Sequence, residues 1–162
     1  SRAVIGQNRF LRGQIYEDIR FTRLTLMQAE RYVYLDQPLY CYLQKRAGST
    51  NTRFPKEKLA IVAECEAFAG QLAAEGLTEA AMGMESFTLE HLIRMHGNAR
   101  ACHAEPGMLR QILADYRERF FRSCGKRNPY VKKARGLLFA LSPGLYGWVS
   151  GLVHRRARQT DD

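Results

Sequence analysis

The stretch Ile61-Val62-Ala63-Glu64-Cys65-Glu66-Ala67-Phe68-Ala69-Gly70-Gln71-Leu72-Ala73 decides the fold class. Its apolar residues Ile61, Val62, Cys65, Phe68, Ala69, Leu72 and Ala73 recur at steps of three and four. That spacing lines one side of a helix with core-facing groups. Gly76 supplies a stop, since glycine accepts the left-handed backbone that ends helices. The same periodicity continues from about Thr78 to His96, with Ala81, Met84, Phe87, Thr88, His91, Leu92 and Met95 on one side. A third helix is predicted from Pro106, a favoured first-turn residue, burying Leu109, Ile112, Leu113, Tyr116 and Phe120. Asn128-Pro129 opens a fourth, reaching about Leu141, and Ser142-Pro143 caps and starts a fifth, ending near Arg158. Residues 55–162 therefore read as a helical domain of four or five packed helices with a basic tail, within a mainly α fold.

Composition agrees with a packed domain. In a chain of 162 residues, 46% are apolar, enough for a real core. Lys and Arg outnumber Asp and Glu by 25 to 16, a formal charge of +9 that favours an anionic partner. The four cysteines, Cys41, Cys65, Cys102 and Cys124, form no Cys-x-x-Cys pair, so neither a zinc site nor a dense disulfide framework is expected. Reduced thiols in a cytoplasmic setting are expected instead. The first residues are polar and charged, unlike a signal peptide. The chain opens without Met and reads as a piece of a longer protein.

Working back towards the first residue, the pattern changes. Residues 47–55 are a polar loop with Gly48, Ser49, Thr50 and Asn51. Residues 32–35 and 39–43 are aromatic and β-prone, separated by Asp36-Gln37-Pro38, and fit two short strands or extended segments. From Glu17 to about Glu30 a helix is predicted, with Ile19, Thr22, Leu26 and Ala29 on one face and Leu24 and Met27 widening it. Glu17 and Asp18 occupy its first turn, where the helix dipole favours negative charge. Residues 1–16 are Gly-punctuated and read as loop or extended structure.

Two stretches carry chemistry. One is Phe10-Leu11-Arg12-Gly13-Gln14-Ile15-Tyr16-Glu17-Asp18-Ile19-Arg20-Phe21-Thr22. The other runs Tyr34-Leu35-Asp36-Gln37-Pro38-Leu39-Tyr40-Cys41-Tyr42 and on to Arg46-Ala47-Gly48-Ser49-Thr50. An acidic pair at a helix start is common and by itself reports only a favourable dipole. The succession is more specific: aromatic, glycine, Glu-Asp, helix, extended Pro-Leu-Tyr segment, basic Gly-Ser loop. It resembles bacterial family 2 inverting glycosyltransferases of the GT-A fold, over residues 8–52. The helical tail fits that family loosely, including the Leu-Ser-Pro-x-Leu-Tyr turn at 141–146.

The resemblance implies roles. Residues 1–54 would be the C-terminal end of a GT-A catalytic domain. Asp18 would be the general base and Glu17 a supporting residue that orients the turn or contacts the acceptor. The physics is coherent: an inverting transfer needs one carboxylate to take the acceptor hydroxyl's proton. Lys45, Arg46, Gly48 and Ser49 would approach the pyrophosphate of a nucleotide sugar, through cations, close backbone and a hydroxyl donor. Leu43 stands where family members often carry Arg, which leaves that contact to Lys45 or Arg46. Family members bind the nucleotide through an N-terminal half with an Asp-x-Asp metal motif. The aspartates here are Asp18, Asp36, Asp115, Asp161 and Asp162, and none forms that motif. The divalent metal (Mg or Mn) and the donor pocket would lie outside this chain, which holds no cofactor itself. By itself it is expected to be inactive. In the whole protein the partners would be a nucleotide sugar and a saccharide or lipid-linked acceptor, in surface-polysaccharide or glycoconjugate synthesis.

Other signals are weaker. His91 and His96 are five apart and miss the four-residue spacing that places two imidazoles on one metal. Cys102-His103 has no partner pair nearby. Tyr32, Tyr34, Tyr40 and Tyr42 alternate as packing residues do. The tail is distinctive: from Tyr116 to Arg158 there are eleven Lys or Arg and one acidic residue, Glu118. Cations flanking Leu137-Leu138-Phe139 and Trp148-Val149 suit an interfacial helix at an anionic membrane, as well as a core-packed helix with solvated arginines. The alternative to the enzyme is thus a non-enzymatic helical module binding a membrane surface or protein partner through its basic face. Nucleic acid is not expected, because no helix-turn-helix, zinc finger or RNA-recognition motif is present. A homodimer is expected if the first fifty residues expose apolar surface.

Overall fold

The computed structural model describes residues 2–10, 12–13, 15–41, 54–125 and 128–159, with residue 2 and residues 152–159 as backbone alone. The protein is mainly helical. The helices are α1 (Arg2–Ile5), α2 (Glu17–Leu26), α3 (Ala60–Ala74), α4 (Thr78–Ala101), α5 (Pro106–Gly125), α6 (Lys133–Leu141) and α7 (Pro143–Gln159), with a short 3₁₀ turn at Lys56–Leu59 before α3. α4 is the centre, packed on α3 at one side and α5 at the other. α6 lies on α5, and α7 turns back on α6. Short connections make successive helices antiparallel neighbours, as in a bundle.

The core holds Ile61, Val62 and Cys65 from α3, and Leu89, Leu92, Ile93, Met95 and Ala99 from α4. α5 adds Ile112, Tyr116 and Phe120, and α6 adds Phe139 and Ala140. Tyr116 stacks on Phe120 at 5.6 Å and meets Phe139 edge-on at 4.7 Å. Gly136 makes that contact possible, because a Cβ there would fall 2.3 Å from Phe120 Cε2. The predicted stripes of α3 and α5 largely hold. The α4 stripe is wider than predicted: Ala81, Thr88, Leu92 and Met95 are buried as expected, Leu89 and Ile93 join them, and Phe87 is 43% exposed. A helix flanked on two sides buries two neighbouring stripes, and periodicity alone does not say which residue borders them.

Helix ends follow backbone chemistry. After α3, Gly76 adopts φ 76°, its N–H donates to Ala73 O, and Leu77 N–H reaches Leu72 O at 2.9 Å. This Schellman pattern satisfies the last carbonyls. α4 ends the same way five residues later than His96, with His103 at φ 51° and Ala104 N–H on Ala99 O at 2.9 Å. Gly97 sits inside α4 without breaking it.

Three expectations are corrected. Residues 2–5 form the short helix α1 where loop or extended structure was expected. Among the described residues there is no strand. Residues 31–40 run exposed along the surface, Val33 at 82% and Tyr34 at 85% exposure. A strand needs a neighbour to pair its backbone groups, and none of residues 31–40 is paired in that way with another described residue. The fourth bundle helix starts at Lys133, not Asn128. Asn128 is fully buried, its Nδ2 donates to Met82 O at 2.9 Å, and its Oδ1 accepts Tyr130 N–H at 3.0 Å. Its side chain thus closes an Asx-type turn and pins the α5–α6 connection to α4.

Candidate functional site

The start of α2 is built by three anchors. Tyr16 precedes the helix in the left-handed region, φ 66° and ψ 34°. A non-glycine residue there stores about 1–3 kcal/mol of backbone strain and persists only where neighbours over-determine it. The neighbours are present: the Tyr16 ring meets His91 of α4 edge-on at 6.2 Å, and Tyr16 and Ile19 pack against the core. Burial and then the charge of Asp18 push the Tyr16 phenol above its ordinary pKa. The second anchor is Arg23, 9% exposed, whose Nη2 lies 3.4 Å from Glu64 Oε2 of α3. The third is Phe10, stacked on Phe21 at 4.3 Å.

These anchors leave Glu17 and Asp18 facing solvent in the first turn of α2. Asp18 Oδ1 accepts the Ile19 N–H at 3.0 Å, a bond shared with Tyr16 O at 3.1 Å. A carboxylate held by the helix amides on a docked helix is a positioned, accessible proton acceptor. Lys45, Arg46, Gly48 and Ser49 lie outside the described residues. The Tyr-rich segment leads from α2 towards them, with the Tyr32 hydroxyl donating to Leu26 O. Leu35 and Leu39 are exposed along it.

His91 is half-buried between Phe87 and Tyr16, its pKa lowered by burial and then by Arg94. His96 packs on Phe139 at 5.3 Å and is lowered by burial and then by Arg100. Both are packing residues. Among the described residues no group of three or more His, Cys, Asp or Glu is placed to hold a metal ion. Nor is any described helix long and apolar enough to cross a membrane.

A second polar site escaped the sequence. A groove of about 230 Å³ lies among α3, α4 and α5, floored by Ala69, Gly70, Ala73 and Ala81. Arg119 Nη2 and Arg122 Nη2 donate to the two oxygens of Glu66 at 2.9 and 3.0 Å on one rim. Ser123 donates to Glu85 Oε2 at 3.0 Å on the other. Burial alone would raise the Glu66 carboxyl, but the hydrogen bonds and charges of Arg119 and Arg122 hold it below the usual range. Each carboxylate already has cationic or hydroxyl donors, which makes the cluster a cross-brace between α3 and α5. The only advance signal was the Arg119/Arg122 pair at i, i+3, which shares a helix face.

No known protein family, curated protein or solved structure matches this chain. The functional reading therefore rests on residues and their geometry.

Proposed function

We propose that this chain is the C-terminal part of an inverting, GT-A-type glycosyltransferase, with Asp18 as its general base. One observation carries the reading. Asp18 is solvent-facing at the head of a helix that Tyr16 and Arg23 lock to the bundle, and an exposed Tyr-rich segment follows that helix. That order is the one the family resemblance rests on, and the exposure is what acceptor access demands.

In this reading the acceptor, a saccharide or lipid-linked glycan, presents a hydroxyl to Asp18. The carboxylate takes its proton while the oxygen bonds the anomeric carbon and the bond to the nucleoside diphosphate breaks. The electron pair leaves with the diphosphate, and the configuration inverts. Glu17 supports the turn. Lys45, Arg46, Gly48 and Ser49 face the pyrophosphate. Donor sugar, nucleotide and the divalent ion belong to a half supplied by residues outside this chain, so the polypeptide alone turns nothing over.

The test uses the full gene product containing these residues. Asp18→Asn should lower sugar transfer on the order of 10²–10⁴-fold with little change in donor affinity. An Asn variant as active as its parent removes the base assignment. Followed upstream, the reading frame should encode an α/β half with an Asp-x-Asp motif.

A further inference from the structure

The α6–α7 corner is amphipathic in a way its fold does not require. Phe139 faces inward at 2% exposure, against Tyr116 at 4.7 Å and Tyr146 at 5.3 Å. Tyr146 is fixed from the other side, its hydroxyl accepting Arg135 Nε–H at 2.8 Å while Arg135 Nη1 reaches Glu90 at 3.1 Å. These contacts set the corner. They leave Leu137, Leu141, Leu145 and Trp148 pointing to water, 43%, 69%, 47% and 65% exposed. Leu137 and Leu141 are one helical repeat apart on the side of α6 away from Phe139, and Leu145 and Trp148 share a face of α7. Four large apolar side chains on one short hairpin exceed the single exposed leucine that any surface carries.

Cations predominate around this edge. Lys132 and Lys133 are exposed at the start of α6. Arg117 donates from Nε to Ala140 O at 2.7 Å, which brings its guanidinium to the end of α6 beside Leu141. No Asp or Glu occurs between Glu118 and Asp161. Glu90 is the acidic group facing the hairpin, and Arg135 holds it. Leucines and a tryptophan rimmed by exposed lysines and Arg117 complement a surface that is apolar beneath and anionic above.

The geometry points to an anionic lipid bilayer as the occupant of this edge: Leu137, Leu141, Leu145 and Trp148 enter the headgroup boundary while Lys132, Lys133 and Arg117 meet lipid phosphates. The helices lie in the interface plane rather than span it, since none described is long and apolar enough to cross. This inference stands apart from glycosyl transfer, and either can fail without the other.

Trp148 is the sole tryptophan of the chain, so its emission reports the edge directly. The full chain is titrated with unilamellar vesicles of phosphatidylcholine alone or with a quarter phosphatidylglycerol. The expected result is a blue shift with the anionic vesicles only, weakening as salt is added. Lys132→Gln with Lys133→Gln should lower partitioning on the order of tenfold or more, and Leu141→Asp should abolish the shift with circular dichroism unchanged. Three outcomes overturn the inference. One is absence of a shift with either vesicle, or equal shifts with both. Another is a shift that grows with protein concentration without lipid, which assigns the edge to a second copy. The third is tighter binding to duplex DNA than to anionic vesicles, which assigns the cations to nucleic acid.

Discussion

Gly136→Ala isolates the contact that holds α6 on α5. The added Cβ would lie 2.3 Å from Phe120 Cε2, 2.7 Å from Tyr116 Oη and 2.8 Å from Phe120 Cδ2. Neither ring can yield, because Tyr116 and Phe120 are 1% and 2% exposed and stack on each other. Restoring ordinary carbon–carbon separation requires α6 to back away by about 1 Å, which opens gaps elsewhere along the interface. Overpacking of this kind costs about 3 kcal/mol at the upper end of its range. The better helix propensity of alanine returns about 1 kcal/mol. The net loss is about 2 kcal/mol, or about 4–8 °C in Tm for a chain of this size. Gly97→Ala is the control: it is also interior to a helix, with nothing within 4 Å of the added carbon. It should raise Tm by about 2–4 °C through propensity alone. Thermal unfolding followed by far-UV circular dichroism reads both. A Gly136→Ala variant as stable as the parent, or more so, would refute the packing described for the α5–α6 face.

Two further outcomes test how the site is supported. Arg23→Ala removes the nearer of the two arginines facing Glu64, whose side chain is 14% exposed, and leaves Arg20 3.9 Å away. It should cost about 3 kcal/mol in denaturant unfolding, whereas Arg23→Met with Glu64→Met should recover most of that loss. Equal losses in single and double variants would show that the pair does not carry α2. His91 and His96 are both lowered by burial, so the folded state binds fewer protons than the unfolded chain near their ordinary pKa. Stability is therefore full above about pH 6.5 and declines as pH falls through the depressed folded values, and His91→Leu should flatten that decline. A parent Tm constant between neutral and mildly acidic pH would contradict it.

The bundle was legible in the sequence because helix faces are local. Ile61, Cys65 and Leu72, or Ile112, Tyr116 and Phe120, are placed by a period of 3.6 residues wherever the helix goes. The end of α3 was legible for the same reason, since Gly76 needs no distant partner to adopt its conformation. The end of α4 was not, because the left-handed turn fell on His103, which gives no such signal. The tyrosines at 32–40 show that β propensity alone does not make a strand: that segment is exposed and without regular secondary structure. At the candidate site, Glu17 and Asp18 were recognisable as an acidic first turn. Their outward orientation was not, because it depends on Tyr16 meeting His91 and Arg23 meeting Glu64 across long gaps in the chain.

The amino-acid order alone carried the periodic helices of the bundle and the cationic bias of the tail, since both follow from composition and short-range spacing. Which apolar residues are covered was settled by packing. Phe139 and Leu141 lie two residues apart on one short helix, yet one is buried against Tyr116 and the other stands in water. That difference comes from where α5 passes, a long-range contact that no local pattern encodes.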